Sequence, residues 1–181
     1  MTSFMQALTE ALPGWEIEPV AEGNLTQGLE ILASNREGYY ALTGEPAPTL
    51  QNLREDLTHL PPGRSLCDKS FLLLSFDGKA TALMDYVRGY PTEQTGYIGL
   101  LILHQNCHRQ KLGTVLFQAV EQAARKTGAR RLELGCFEAN TPGLSFWRSN
   151  GFKVLRSCIH PDESGASQGN SRCLLVLEKN L

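Results

Sequence analysis

The sequence lacks long apolar runs, a marked excess of either charge, and a secretory leader. No apolar run reaches the roughly 18 residues that a membrane-spanning helix requires, so we expect no membrane partner. The chain has 17 basic and 19 acidic residues and a net charge of −2, which argues against a nucleic-acid partner held by a general basic field. The opening residues contain neither a basic segment nor a long apolar one, and we therefore predict no signal peptide.

Paired cysteines are also missing. The five cysteines are widely spaced, odd in number and without a C-x-x-C motif. This pattern is typical of reduced thiols and unlike a disulfide framework or a zinc site. We therefore expect a cytoplasmic protein without a bound metal. With 181 residues, of which 41% are hydrophobic and 20% are charged, the chain has the composition of one ordinary globular domain.

The spacing of apolar residues predicts an ordered series of helices and strands. Helices are predicted at residues 3–14, 24–35, 50–60, 112–127 and 140–152, and strands at residues 15–20, 69–76, 79–87, 97–103, 130–137, 153–157 and 172–179. Asp77-Gly78 between two strands is a strong hairpin signal, because both residues of the turn need a positive φ. We expect Thr141 to cap the last helix and residues 160–171 to form a polar loop. The order predicts an α/β domain around one mixed, mostly antiparallel sheet.

One turn in this series has the form of a phosphate-binding site. Residues His108–Gly113, "HRQKLG", follow an apolar strand and open an amphipathic helix. Such a turn offers free backbone N–H groups and the positive end of the helix dipole to an anion. Most of the glycines expected in such a turn are absent, and at Lys111 we predict a helical φ, because a positive φ costs about 1–2 kcal/mol relative to glycine. The alternative is an ordinary loop with solvated charges.

This turn resembles the signature of the GNAT superfamily of acyl-CoA-dependent N-acetyltransferases, Q/R-x-x-G-x-G/A. His108 takes the first place of the signature, Lys111 replaces its first glycine, and Gly113 takes its last place. The match is therefore degenerate at two of the three positions.

A second similarity lies downstream, where the family has an asparagine, a short helix with an aromatic pair, and Gly-Phe. The corresponding residues here are Asn140, Phe146-Trp147 and Gly151-Phe152. Together the two motifs make the resemblance fairly specific over residues 96–152, whereas earlier residues share only the architecture.

The resemblance implies a single N-acetyltransferase domain over residues 1–181, with a sheet of six to seven strands flanked by helices and splayed at its central strand. It assigns residues 1–14 to an N-terminal helical extension and residues 24–62 to variable helices on the acceptor side. The co-substrate would be acetyl-CoA, which would contact Leu101, Ile102, Leu103, His108, Arg109, Gln110, Lys111, Leu112, Gly113, Thr114, Asn140, Phe146 and Trp147.

Three of the implied roles have structural alternatives. Gly99 is a candidate for the bulge that splays the central strand, or a glycine packed under a large neighbour. Asn140 either binds the pantetheine or caps the following helix. Trp147 either packs on the pantetheine or anchors the core together with Leu144.

The general base and acid are less determined. Asp85, on the third strand, is our first candidate for the base, with Glu138 and His104 as alternatives. In much of the family a tyrosine at the place of Trp147 is the acid, and an indole N–H cannot deliver a proton at neutral pH. Tyr97 is our candidate replacement. Other tyrosines that could serve as the acid or line the acceptor pocket are Tyr86, Tyr90, Tyr39 and Tyr40.

Two classes of function follow from the resemblance. The first is an N-acetyltransferase that acts on a primary amine of a small molecule, peptide or protein, as a monomer or homodimer. The second is a non-catalytic module that binds or senses acyl-CoA, which the residues at positions 111 and 147 suggest. A dinucleotide-binding domain is disfavoured, because "HRQKLG" is not G-x-G-x-x-G.

Overall fold

The protein is described from a computed structural model over residues 2–160 and 172–181. Seven strands form one sheet in the order β1-β2-β3-β4-β5-β7-β6. Every neighbouring pair is antiparallel except β4 and β5, which confirms a mixed, mostly antiparallel sheet. The strands are β1 Trp15–Pro19, β2 Lys69–Phe76, β3 Lys79–Arg88, β4 Thr95–Leu103, β5 Arg131–Phe137, β6 Lys153–His160 and β7 Arg172–Asn180. Residues 161–171 of the predicted polar loop lie outside the described residues.

Helices cover both faces of the sheet. They are α1 Phe4–Ala11, α2 Leu25–Ser34, α3 Ala41–Thr43, α4 Leu50–Thr58, α5 Leu112–Lys126 and α6 Thr141–Ser149. A π-helical segment, Arg36–Tyr40, joins α2 to α3. One core lies between the sheet and helices α1, α5 and α6. A second, smaller core lies between the opposite face of the sheet and helices α2 and α4. No described helix is long and apolar enough to cross a membrane.

The predicted hairpin between β2 and β3 is confirmed. Its turn residues Asp77 and Gly78 have φ values of +52° and +69°. Both therefore lie in the left-handed region that this type of tight turn requires. The hairpin fixes β3 beside the central strand, β4, and so helps to position the site.

The sheet is splayed between β4 and β5, as predicted. The two strands pair only from Thr95 with Arg131 to Ile98 with Leu134. Beyond Ile98, β4 pairs with β3 alone among the strands that the structure describes. The unpaired edge of this half of β4 has free backbone groups that a bound chain could meet as an added strand.

A β-bulge at Gly99 lies where the two strands separate. On β3, Asp85 pairs with Leu100 and Tyr86 pairs with Ile98, so that Gly99 is left without a partner. The bulge prediction is therefore confirmed. The alternative of a glycine packed under a large neighbour does not hold, because Gly99 is exposed, although a Cβ atom there would lie 2.7 Å from Oδ2 of Asp85.

Two local predictions were wrong. Lys111, the residue preceding α5, has a φ of +64° and is left-handed, not helical. The cap of α6 is Asn140, whose Oδ1 accepts a hydrogen bond from the Gly143 amide at 3.0 Å, while Thr141 is the first helical residue. Asparagine is as good a cap as threonine, and here it precedes the first helical residue.

Candidate functional site

The turn before α5 presents a run of free backbone amides. Within residues 2–160 and 172–181, no hydrogen bond is recorded for the amides of residues 109–113. The amides at either end are occupied, since that of His108 donates to Gln105 at 3.1 Å and that of Thr114 donates to Lys111 at 3.1 Å. The free amides of this turn are therefore the five from Arg109 to Gly113.

The left-handed residues give this turn its shape. Arg109 has a φ of +59° and Lys111 a φ of +64°. Successive backbone N–H groups in a turn with left-handed residues are one way in which proteins form an anion-binding concavity. The strain at each position is about 1–2 kcal/mol relative to glycine. The side chains of both residues add positive charge to the turn.

The carbonyl group of Leu103 connects the carboxyl end of β4 to this turn by a hydrogen bond. The carbonyl of Leu103 accepts a hydrogen bond from Nδ2 of Asn35 at 2.9 Å and lies 3.1 Å from Nε2 of His108. The second contact requires the Nε2–H tautomer of His108. Asn35 is 3% exposed, and its amide group also donates to Ile31 at 2.9 Å. Sequence reasoning missed Asn35, because an asparagine after a helix reads as an ordinary stop signal.

Three elements of the site meet at Gly113. A Cβ atom at this position would lie 3.3 Å from the ring of Phe146 on α6 and 4.0 Å from Leu103 on β4. The absence of a side chain lets the start of α5 approach both neighbours. The fold therefore brings the turn, the end of the central strand and α6 together, as the two sequence motifs predicted.

The remaining predicted coenzyme residues on α6 have clear structural roles. Asn140 caps the helix, as described above. Trp147 is 8% exposed, and its ring packs edge-on against Phe117 at 5.6 Å and Phe152 at 5.3 Å. Trp147 is therefore a core anchor, as the alternative interpretation expected. A contact of Asn140 or Trp147 with pantetheine stays a prediction.

Asp85, the first candidate base, lies above the bulge in an ion pair. Its Oδ2 atom is 2.7 Å from Nζ of Lys69, and its side chain is 20% exposed. Burial is the main influence on this carboxyl and raises its pKa, while the hydrogen bond and charge of Lys69 lower it. A carboxylate whose pKa is raised by burial is a better proton acceptor than an ordinary one.

Tyr97, the candidate acid, lies at the point where β4 and β5 separate. Its hydroxyl oxygen would be 3.4 Å from a Cβ atom on Gly135, the first residue of β5 beyond the last β4–β5 pair. Its ring packs edge-on against that of Tyr90 at 5.4 Å. Burial raises the pKa of Tyr97, and Tyr90 and Glu133 raise it further, so the phenol stays protonated at neutral pH.

The structure does not bring the two catalytic candidates into one cluster. The charges of Lys69 and His59 influence the pKa of Asp85. The pKa of Tyr97 is influenced by other groups, which lie on β5, on β6 and in the β3–β4 connection. On β4, Tyr97 lies before the bulge at Gly99, whereas Asp85 pairs with Leu100 beyond it.

The other candidates have structural roles or distant positions. His104 accepts a hydrogen bond from the Asn106 amide at 3.2 Å through Nδ1, and Glu138 is exposed. Tyr86 is fully buried in the core beneath α1, so its hydroxyl cannot serve as an acid in the gap between β4 and β5. Burial raises the pKa of Tyr39, in the π-helical segment, to about 12.

Comparisons with known proteins agree with this geometry. Residues 30–152 match the acetyltransferase (GNAT) family, and the chain belongs to that family. It is therefore an acyltransferase of the acetyltransferase class. A search of curated proteins finds no significant match.

Solved structures share the fold over nearly the whole chain. An acetyltransferase from Thermus thermophilus is 22% identical with a TM-score of 0.70, over 92% of this chain and 97% of that one. Ribosomal-protein-alanine N-acetyltransferase from Brucella melitensis is 21% identical with a TM-score of 0.65, over 92% and 99%. PaiA N-acetyltransferase from Thermoplasma acidophilum, in complex with coenzyme A, is 18% identical with a TM-score of 0.62, over 92% and 99%.

Proposed function

We propose that the protein transfers the acetyl group of acetyl-CoA to a primary amine of a small molecule, peptide or protein, by direct attack in a ternary complex. The observation that carries this proposal is the run of five free amides at residues 109–113, which leads into the start of α5 beside the unpaired half of β4. A diphosphate is the kind of ligand that several converging amides and a helix N-terminus bind.

Each part of the coenzyme has a matching surface. The turn from His108 to Thr114 would hold the diphosphate. The pantetheine arm would lie along Leu101–Leu103 as an added strand, because this half of β4 has no partner on the β5 side. Asn140, Phe146 and Trp147 would form the opposite wall. The thioester would then lie near Gly99, between Asp85 and Tyr97.

The reaction requires the acceptor ammonium to lose two protons, the second of them to solvent after the nitrogen–carbon bond forms, and the sulfur to depart. An alkyl ammonium has a pKa of about 10.4, so the acceptor arrives charged at neutral pH. Asp85 would take one of its protons, and the freed nitrogen would form a bond to the acetyl carbon. The carbon–sulfur bond would then break, and the thiolate would gain a proton from the hydroxyl of Tyr97.

Replacing Tyr97 with phenylalanine tests the acid. We expect kcat to fall by no more than about 100-fold, the lower end of general acid–base effects, because a thiolate is a fair leaving group without assistance. The KM for acetyl-CoA should stay within experimental error of the wild-type value. Tyr90→Phe is the matched control, since it removes a neighbouring hydroxyl, and an equal loss in both variants would contradict the assignment.

Replacing Trp147 with tyrosine tests whether this position still needs an acid. We expect the variant to keep its activity and to lose about 1–3 kcal/mol of unfolding free energy, because a smaller ring leaves space among Phe117, Phe146 and Phe152. Steady-state kinetics and thermal denaturation measure the two effects. An inactive but folded variant that still binds acetyl-CoA would show that the indole has a role in the reaction.

A thiol-release assay tests the function itself. Purified protein, acetyl-CoA and a panel of small amines, peptides and protein substrates should release free coenzyme A only when an acceptor is present. The second candidate function, a non-catalytic acyl-CoA-binding module, is favoured by the buried tryptophan at position 147. Tight binding of acetyl-CoA without turnover of any acceptor would support that module and contradict the enzyme.

A further inference from the structure

A buried lysine lies next to the proposed base. Nζ of Lys69, at the start of β2, is 2.7 Å from Oδ2 of Asp85, and the lysine side chain is only 4% exposed. Its ammonium group also lies 5.5 Å from the centre of the Phe71 ring. A buried ammonium is costly unless it is paired, so the position of Lys69 depends on the carboxylate of Asp85.

The pairing leaves the two oxygens of Asp85 in different states. Oδ1 is buried, and no hydrogen bond to it is recorded in the described part of the chain. Oδ2 is held by Lys69 and lies over Gly99, where a Cβ atom would be 2.7 Å away. A side chain at the bulge would require Oδ2 to move from this position. The bulge and the ion pair are therefore parts of one arrangement.

The other titratable groups near Asp85 and Lys69 belong to helix α4 or to the residue that follows it. Helix α4 contributes Asp56, whose pKa is raised mainly by burial and lowered by Lys69, and His59 follows that helix. From β4, the facing residues are Gly99 and Leu100, which carry no charge. Lys69 is thus the adjacent cation that opposes the burial of Asp85.

We propose that Lys69 is a positioning residue, which holds Oδ2 of Asp85 above the Gly99 bulge and keeps this carboxyl ionised until the acceptor amine binds. This inference rests on the function proposed above. Lys69 keeps its own protons throughout. Oδ2 takes one proton from the acceptor ammonium, the nitrogen–carbon bond forms, and the carbon–sulfur electron pair passes to sulfur. The second nitrogen proton goes to water, and the sulfur is protonated through Tyr97, which regains its proton from Asp85 by way of solvent.

The test compares wild-type protein with Lys69→Met and Lys69→Arg. Without the cation, Asp85 should hold its proton more tightly, so the acid limb of the pH dependence of kcat/KM should move to higher pH in Lys69→Met. Lys69→Arg should return the limb toward its wild-type position. A role in folding alone would lower activity or stability in Lys69→Met without moving this limb. If Lys69→Met fails to fold, Lys69→Gln, which keeps a donor but loses the charge, takes its place.

A second readout separates this inference from the proposed function. In protein labelled with ¹³C at the aspartate carboxyl carbon, the resonance of Asp85, identified by its loss in Asp85→Asn, should titrate at higher pH in Lys69→Met than in wild type. This titration needs no turnover, so it can succeed even if every acceptor fails. An unchanged titration in a folded Lys69→Met variant would overturn the role of Lys69, whether or not the wild type is active.

Discussion

Replacing Gly113 with glutamate should weaken acetyl-CoA binding at least tenfold, a loss of about 1.4 kcal/mol, and leave the fold intact. The new carboxylate would lie at the start of α5, beside the amides that would hold the diphosphate. It would repel the phosphates, and its stem would press on the ring of Phe146, which is 3.3 Å from the position of the added Cβ atom. Isothermal titration calorimetry measures the change in affinity, and thermal denaturation measures the fold.

Two controls separate the charge from the bulk. Gly113→Gln adds a side chain of the same shape without a charge and should lose less affinity than Gly113→Glu. Gly23→Glu adds the same charge on the connection between β1 and α2, where no neighbouring atom of the described residues lies within 4 Å of the added Cβ, and should bind acetyl-CoA like wild type. Equal affinity in Gly113→Glu and wild type would contradict the proposed diphosphate site.

Replacing Asp85 with asparagine should lower kcat by about 10²- to 10⁴-fold, the usual contribution of general acid–base catalysis. The amide can still accept the hydrogen bond of Lys69 through its oxygen, but it cannot take a proton from the acceptor amine. The KM for acetyl-CoA should change little, because the proposed mechanism gives Asp85 a contact with the acceptor amine and none with the coenzyme. Initial rates over a range of concentrations of each substrate give the separate constants.

The matched control for the base is Asp56→Asn. Asp56 is another carboxyl near Lys69, and the proposed mechanism gives it no proton to transfer. Its replacement should leave kcat within a few-fold of the wild-type value. Normal turnover in a folded Asp85→Asn variant would rule out Asp85 as the base and return attention to His104 and Glu138.

Local patterns in the sequence predicted much of the fold and part of the site. The hairpin at Asp77-Gly78 was predictable because two adjacent residues determine its geometry. Likewise, Gly99 marked the bulge, since an isolated glycine in an apolar strand often marks an irregularity. The approach of Gly113 to Phe146 follows from two motifs whose separation matches the family.

Features that depend on distant pairs could not be predicted. Asn35 bonds to Leu103 across 68 positions of the chain, and Lys69 reaches Asp85 only because β2 and β3 pair in one particular register. The left-handed φ of Lys111 was missed for an energetic reason. Its local cost favours a helical φ, and the surrounding turn overrides that preference. Sequence reasoning weighs local costs well, but it does not include what the rest of the structure imposes.

The most direct test of the central claim is an amide-resolved NMR titration of ¹⁵N-labelled protein with coenzyme A. We expect the largest shifts on the backbone amides of residues 109–113, because each would acquire a phosphate oxygen as its hydrogen-bond acceptor. Smaller shifts should follow along Leu101–Leu103. Saturable binding that leaves the amides of residues 109–113 unmoved, or no binding at millimolar coenzyme A, would contradict the account.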